Sequence, residues 1–413
     1  MSDFIGLFNV PVSSKTRAVM AFSGDPITYG HVDLIRRALC IFEHVTVAIG
    51  VNAAKRYTFP LLEREAIARE VLKPFGDRVD VTSFEGLLVN FAHENTVTHI
   101  IRGLRTSADF EFEKLLSDIN KTQNMGIDTW FLPADAALGC VSSSAVKELV
   151  KNQGDVTNYV PLLVKEKLER VLLDQIVIGI TGEIGAGKSH VAAKLVEWAA
   201  KKQMAFLYNY ENKDSYAYPP TGYPVHNIDL DRIGHAILEQ ETKPLYRKTR
   251  EDLIGQFGNK IVKKDSKDQF IDTKALGNII FNDPMKLALF NEITAEVILF
   301  KMKQDMVGKK GVILINSALL FEAQLTDLVN NNVIVVTADT DIRDRRLRER
   351  GYSIEEIEKR NNAQSTVQQK LRAYETVKSQ SLDYGKLWII ENNNLRDAEL
   401  HEHFFNIFKE IHV

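Results

Sequence analysis

The stretch ITGEIGAGKSH occupies residues 180–190, almost halfway along a chain of 413 residues. Its core, GEIGAGKS (182–189), has the spacing G-x-x-x-x-G-K-S. An apolar run, QIVIGIT (175–181), precedes it, and KSHVAAKLVEWAAKK reads as the helix that follows. A glycine-rich turn between a strand and a helix wraps phosphate in backbone N–H groups. Here Gly182, Gly185, Ala186 and Gly187 line the turn, Lys188 reaches the β- and γ-phosphates, and Ser189 Oγ is placed to ligate Mg2+. Such a loop normally follows the first strand of its own domain. The expectation is therefore a second domain from about residue 174 and a separate one before it, in line with about 100–200 residues per domain.

Downstream of the loop, further strands are expected in YPVHNIDLD (223–231), GVILINSALLF (311–321), VIVVTA (333–338) and KLWIIE (386–391). Long helices are expected over 283–308 and 353–379, and the Tyr-, Pro- and Asn-rich segment 206–224 reads as a loop or small insertion. Asp229 and Asp231 close the first of these strands, where they can orient an acceptor hydroxyl and a magnesium shell. In DIRDRRLRER (341–350), Arg343, Arg346 and Arg350 fall at i, i+3 and i+7 on one helical face. The run alone reads equally as a solvated charged helix. After a strand of a phosphate-loop fold it suits a lid whose arginines close over transferring phosphates. No guanine-reading Asn-Lys-x-Asp motif follows a later strand, which argues against a GTPase.

In the first half, AVMAF (18–22), HVTVAIG (44–50), RVDVTSF (78–84), THIIRG (98–103) and TWFLP (129–133) alternate with helical periodicity. VPLLVKEKLERVLLD (160–174) reads as a closing helix. Alternation of this kind argues for an α/β fold with a parallel sheet, which brings the loop after each strand to one edge. SGDPITYGH (23–31) follows the first strand and places His31 at a helix N-terminus, where unpaired N–H groups and the helix dipole suit a phosphate. Taken alone, that turn reads as well as a strand-to-helix connection with a capping histidine. Lys55 follows the second strand, Arg102 and Arg105 the fourth, and Ser142, Ser143 and Ser144 open a helix after the fifth. Their shared edge describes a polyphosphate site.

The net charge of −3 gives no long-range attraction to nucleic acid or to an anionic membrane. Two cysteines, Cys40 and Cys140, make neither a disulfide framework nor a metal-ligand spacing, and fit a reducing compartment. MSDFIGLFNVPVSSKT carries Asp3 and no basic run ahead of its apolar patch, so neither a secretory signal nor a membrane span is expected. The expectation is a cytoplasmic enzyme of small molecules.

From Arg17 to the closing helix, DPITYGH, FPLLER, NFA, IRGLRTSADFEFE and VSSSAVKELVKNQGDVTNYVP occur in the order of the bacterial phosphopantetheine adenylyltransferases, which this half resembles. The resemblance implies a Rossmann-like nucleotidyltransferase that joins ATP to 4′-phosphopantetheine, giving dephospho-coenzyme A and pyrophosphate. It implies that His31 steadies the α-phosphate, that Lys55 and Arg102 bind phosphopantetheine and share in charge stabilisation, and that Leu87 and Leu88 line the pantetheine groove. Gly103, Arg105, Glu113 and the Ser142–Ser144 turn hold ATP on this reading. Ser23 supplies the hydroxyl that the family's threonine offers to phosphate, although the family's Gly-Thr-Phe is Phe22-Ser23-Gly24 here. Bacterial relatives are often hexameric, which implies a homo-oligomer through this domain.

The second half resembles the dephospho-coenzyme A kinases of the nucleoside-monophosphate-kinase-like group, with helical substrate and lid regions. It does so in the loop, in Asp229 and Asp231 as Asp-x-Asp, in LLFE (319–322), in the arginine run, in Arg360 and Gln364 as Arg-x-x-x-Gln, and in Lys370. The resemblance makes Asp231 the general base on the ribose 3′-hydroxyl. Departures are Asn316 for an aspartate, Ala318 for a proline, Thr273 for an arginine, ITAEV (293–297) where the family has His-Pro, and a longer stretch before Asp229. The expected organisation is a tail over 1–16, an adenylyltransferase over 17–173 and a kinase over 174–413. Three readings of the second half stand open: a kinase for the first half's product, a kinase for another acceptor, and a nucleotide-binding regulatory module.

Overall fold

The computed structural model describes residues 16–52, 55–139, 141–200, 224–264, 266–280, 283–362 and 365–411, and for 359–362 the backbone alone. Cys140, Gln364 and nearly all of the 1–16 and 206–224 segments lie outside the described residues. The chain divides into two compact units, one of Met1–Val150 with Gly154–Lys165, the other of Lys151–Gln153 with Glu166–Val413.

In the first unit the elements run β1 (Arg17–Phe22), α1 (Tyr29–Ala38), β2 (His44–Gly50), α2 (Leu61–Leu72), β3 (Val79–Phe84) and α3 (Leu88–Glu94). They continue with β4 (His99–Leu104), α4 (Ser107–Lys121), β5 (Asp128–Pro133), α5 (Ser143–Lys151) and α6 (Leu162–Leu168). All strand pairs are parallel, in the order β3-β2-β1-β4-β5. The order reverses direction between β1 and β4, and a crevice opens beyond their C-terminal ends where the two neighbouring loops diverge. Val19, Ala48, Leu88, Ala92, Val97 and Ile100 form a core on one face of this sheet.

The second unit is built from β6 (Gln175–Gly182), α7 (Lys188–Ala200), β7 (Val225–Asp229), α8 (Leu230–Glu239), α9 (Pro244–Phe257), α10 (Thr273–Ile280) and α11 (Pro284–Met306). Then come β8 (Gly311–Asn316), β9 (Val333–Thr337), α12 (Thr340–Glu349), α13 (Ile354–Asn362), α14 (Val367–Gln380), β10 (Leu387–Glu391) and α15 (Asp397–Ile411). The helical pattern over 353–379 thus corresponds to two helices, α13 and α14. Strand order is β10-β9-β6-β8-β7, all parallel, with the strand of the phosphate loop at the centre.

Every residue of β6 is buried, as expected of a central parallel strand covered on both faces. Period-two alternation sends Ile176, Ile178 and Ile180 into the cluster with Leu195, Trp198, Phe404 and Phe408. Val177 joins the opposite cluster with Ile233, Val297 and Tyr374. Among the described residues no helix is long and apolar enough to cross a membrane.

The division between units falls inside the closing helix, and its polar contacts explain the position. After α6 the chain winds one wider helical turn over Glu169–Leu173. Glu166, buried, accepts from Asn332 Nδ2 at 2.8 Å, Tyr384 Oη at 2.7 Å and Arg170 Nη2 at 3.1 Å. Glu169 accepts from Asn330 Nδ2 at 2.7 Å, and Arg170 also donates to the Ile411 carbonyl at 3.0 Å. Burial and the Glu166 charge both push the Tyr384 hydroxyl pKa up, so it stays protonated and able to donate. Removing one member of a buried charged network leaves its partners desolvated and unpaired. Glu166→Ala should therefore destabilise the second unit by about 3–5 kcal/mol, measured as a shift in its denaturant midpoint at constant slope.

Candidate functional site

A cavity of about 600 Å³ lies at the C-terminal edge of the first sheet, lined by Ser23, His31, Lys55, Arg102, Arg105 and Lys147 among others. Gly103, Glu113, Ser142, Ser143 and Ser144 also border it. Residues from five separate loops or helix starts meet there because parallel strands deliver all their C-terminal ends to one edge.

His31 stands in the first turn of α1 and stacks on Phe22, with ring centroids 4.3 Å apart. The Thr28 backbone N–H donates to its Nδ1 at 3.1 Å. An imidazole nitrogen that accepts an N–H carries no proton itself, so the proton of the neutral ring is on Nε2. Burial, reinforced by the Arg105 charge, lowers the His31 pKa to about 4. The group offered to a ligand is therefore a neutral N–H donor.

Lys55 Nζ lies 3.4 Å from Ser23 Oγ, which puts the two ends of that corner together. Arg102 pairs through Nε with Glu113 Oε2 at 3.0 Å and donates from Nη1 to the Ala21 carbonyl at 3.3 Å. Arg105 is held by Asp109 at 3.4 Å. Ser142 Oγ accepts the Ala145 N–H at 3.1 Å, opening α5, while Ser143 Oγ donates to the Pro26 carbonyl at 2.8 Å. Gly103 has a packing reason of its own: a Cβ there would stand 2.3 Å from Leu34 Cδ1. Leu87 and Leu88 do not border the cavity. Leu88 is buried in the core cluster because the first turn of α3 faces the sheet, and Leu87 is exposed.

Two residues that the sequence reading passed over organise this edge. Asp25, buried, accepts from the Thr58 and Phe59 N–H groups at 3.0 Å and from Lys147 Nζ at 2.6 Å. Arg64, also buried, donates to the carbonyls of Ser23 and Gly50 and lies over the Tyr57 ring. Asp25 was visible within SGDPITYGH, and Arg64 within FPLLER, but only as members of a motif.

In the second unit, the phosphate loop joins β6 to α7, with Lys188 and the exposed Ser189 in the first turn of that helix. Burial lowers the Lys188 pKa, opposed by the charges of Asp231 and Asp229. Burial raises the Asp231 pKa, opposed by Lys188 and reinforced by Asp229. Asp229 caps α8: its Oδ1 accepts the Arg232 N–H at 3.1 Å, and Asn316 Nδ2 donates to Oδ2 at 3.4 Å. Lys370, fully buried, donates to the Ala318 carbonyl at 3.1 Å and to Glu322 Oε1 at 2.6 Å.

The arginine run behaves differently from a lid held away from the loop. Arg343 Nη1 pairs with Glu183 Oε2 at 3.2 Å. Arg346 donates to the carbonyls of Gly185 at 3.4 Å, Ala186 at 3.3 Å and Asn392 at 2.9 Å. Asn392, unremarked in the sequence, donates from Nδ2 to the Ala186 carbonyl at 2.8 Å. The reason is register: Val336 pairs with Gly182, so α12 begins directly beside the loop. Gly187, at φ +93°, has no room for a Cβ, which would meet Asn392 Nδ2 at 2.2 Å. Arg350 is exposed, and its charge acts on Lys188. Of Arg360 only the backbone, in α13, is described, and Gln364 lies outside the described residues.

Hard oxygen donors suited to Mg2+ are present in Ser189 and Asp231. That cation commonly takes one or two protein oxygens plus substrate phosphates, not a dedicated cage. Among the described residues no three His, Cys, Asp or Glu side chains gather as such a cage.

Residues 23–149 match the cytidylyltransferase-like family and residues 217–382 the dephospho-CoA kinase family. The second match starts beyond the phosphate loop, so it is independent of that motif. A phosphopantetheine adenylyltransferase of Shouchella clausii is 43% identical over 155 residues, which are 38% of this chain and 97% of that relative. One of Psychromonas ingrahamii is 41% identical over 146 residues, 35% of this chain and 90% of the relative. One of Geotalea daltonii is 41% identical over 152 residues, 37% of this chain and 94% of the relative.

The His31 geometry has a direct spectroscopic consequence. In an NMR titration its Nε2–H tautomer should persist with no charging between neutral pH and the approach to about 4. Its ordinary value is 6.5, so the unfolded chain takes up a proton that the folded one refuses. This group's contribution to stability is then flat above 6.5 and declines as pH falls from there to about 4.

Proposed function

We propose how the residues divide the chemistry of a chain that belongs to the phosphopantetheine adenylyltransferase family through its first half and carries a dephospho-CoA kinase domain in its second. The chain performs the last two steps of coenzyme A biosynthesis. The first joins ATP to 4′-phosphopantetheine, giving dephospho-CoA and pyrophosphate, and the second phosphorylates the ribose 3′-hydroxyl of dephospho-CoA. The kinase match favours this acceptor over another one and over a regulatory module.

The convergence of Ser23, His31, Lys55, Arg102 and Arg105 on one cavity carries the reading of the first site. There a phosphate oxygen of 4′-phosphopantetheine attacks the α-phosphorus of ATP, and the bond to the bridging oxygen breaks as pyrophosphate leaves. No side chain needs to form a bond, so catalysis rests on positioning and charge stabilisation. Neutral His31 donates Nε2–H to the α-phosphoryl group, and Lys55 with Arg102 holds the attacking phosphate. Arg105, Glu113 and the serine turn hold the nucleotide.

In the second site the 3′-hydroxyl attacks the γ-phosphorus, ADP leaves, and Asp231 takes the hydroxyl proton. Its upward-shifted pKa makes it a stronger base than an unperturbed aspartate. Lys188 binds the β- and γ-phosphates. Ser189 and Asp231 would hold Mg2+, which would supply charge neutralisation to the phosphates. Small-molecule substrates and ATP as co-substrate of both steps support a cytoplasmic enzyme on this reading.

Phe112, Leu115 and Ile119 lie at i, i+3 and i+7 on α4 and are 60%, 58% and 49% exposed. On edge strand β5, Trp130 is 39% exposed on the opposite face of the sheet, where it packs on Phe42 and His99. The apolar face of α4 suits contact with a second copy of the chain. Sedimentation should find a multimer that Leu115→Asp dissociates; a monomeric unsubstituted chain would overturn this.

Two assays separate the activities. His31→Ala should lower pyrophosphate release from ATP and 4′-phosphopantetheine by about 10²–10³-fold and leave coenzyme A formation from dephospho-CoA and ATP unchanged. Lys188→Ala should do the reverse. Loss of both activities in either variant, or no coenzyme A from the unsubstituted chain, would count against the division.

A further inference from the structure

Arg64 stands near the start of α2 and is 1% exposed. Its Nη1 donates to two carbonyls, that of Ser23 just past β1 and, at 3.0 Å, that of Gly50 at the end of β2. The guanidinium thus joins the two strand ends from which Ser23 and Lys55 reach the cavity. One of its faces is covered by Tyr57, with Cζ 3.9 Å from the ring centroid, a distance at which cation and ring attract. Tyr57 also ties its own segment back on itself. Its Oη accepts the Asn52 N–H at 2.6 Å, and the Asn52 carbonyl accepts the Lys55 N–H at 2.9 Å. A single residue, Asn52, therefore stands between the Tyr57 hydroxyl and the Lys55 backbone. Directly after Tyr57, the Thr58 and Phe59 N–H groups are held by Asp25 at 3.0 Å. Lys55 itself is exposed, with Nζ 3.4 Å from Ser23 Oγ.

Resting on the assignment of Lys55 to the 4′-phosphopantetheine phosphate, we propose that Tyr57 is a positioning residue of the adenylyltransferase site. Its ring, seated on Arg64, and its hydroxyl, holding Asn52, set the backbone from which Lys55 reaches that phosphate. A lysine is a flexible cation that gives up rotamer freedom when it is fixed on a ligand. Ordering the backbone beneath it removes part of that cost before the ligand arrives. Arg64 is the shared base of the arrangement: the same guanidinium holds the Ser23 carbonyl, so one buried side chain places Ser23 and Lys55 relative to each other. An aliphatic side chain at 57 would cover Arg64 but supply neither the negative ring face nor the acceptor for Asn52.

The test uses the full chain and reads the Kd of 4′-phosphopantetheine by titration calorimetry, which needs no turnover. Tyr57→Phe keeps the ring on Arg64 and removes the acceptor, whereas Tyr57→Leu removes both. Kd should rise about threefold in Tyr57→Phe and about tenfold or more in Tyr57→Leu. In both variants KM for ATP in pyrophosphate release, and the rate of dephospho-CoA phosphorylation, should stay unchanged. Because the effect runs through Lys55, adding Tyr57→Leu to Lys55→Ala should raise Kd by no more than about twofold over Lys55→Ala alone. A merely structural role would instead lower the melting temperature, raise KM for ATP as well, and act by the same factor in either background. An unchanged Kd in Tyr57→Leu overturns the inference, as does the full effect of that substitution persisting beside Lys55→Ala. If Tyr57→Leu fails to fold, Tyr57→Phe decides the point in the same two backgrounds. A Lys55→Ala chain that binds 4′-phosphopantetheine as the unsubstituted chain does would remove the reading of Lys55 itself, an outcome seen without any change at Tyr57.

Discussion

The Asp25 carboxylate is nearly inaccessible to solvent, and the adenylyltransferase site depends on how its charge is met. It accepts from two backbone N–H groups just ahead of α2 and from Lys147 on α5. A buried carboxylate without such donors would be costly, so the three segments are obliged to stay together. Because Asp25 sits inside the turn that presents His31, fixing Asp25 fixes the entry to α1. Arg64 closes the same edge from the other side through the Ser23 and Gly50 carbonyls. The cavity is thus bounded by groups held in place by these contacts, with His31, Lys55, Arg102 and Arg105 among the residues that line it.

The second unit meets the corresponding problem, how to hold a loop of backbone N–H groups open toward phosphate. The carbonyls of such a loop point the other way and need donors of their own. Arg346 and Asn392 supply them at Gly185 and Ala186, and Arg343 engages Glu183. Arginines that look in sequence like a closing lid are therefore partly committed to shaping the loop. At the end of β7, Asn316 Nδ2 and the Arg232 N–H each donate to Asp229. Substrate-facing residues in both units are few, and most of the polar side chains around them serve to orient those few.

Much of this was legible in the chain itself. The ten strands of the described residues follow the apolar runs closely, since a fully buried parallel strand needs continuous hydrophobic residues, as β6 shows. The turns carrying His31 and Lys188 were legible because glycine spacing and a following helix are local properties. Leu88, given to a substrate groove by the family resemblance, is turned by α3 toward Val19 and Ile100 and does not border the cavity. The split of 353–379 into α13 and α14 and the end of the first unit within the closing helix also escaped the pattern. The Glu166 and Glu169 contacts that attach that helix to the kinase unit join residues more than 150 positions apart.

By itself, then, the sequence determined which segments are strands and helices, and that two phosphate-binding turns exist. Those features depend on hydrophobic period and on turn chemistry, both of which act over a few residues. Tertiary structure alone decided that Lys147 answers Asp25 across 122 positions, that Asn316 donates to Asp229 across 87, and that Arg346 holds the loop carbonyls. Such pairings depend on strand order and register, which bring together ends of strands distant in the chain. A hydrophobic pattern specifies that a strand is buried, and leaves open which neighbour it is buried beside.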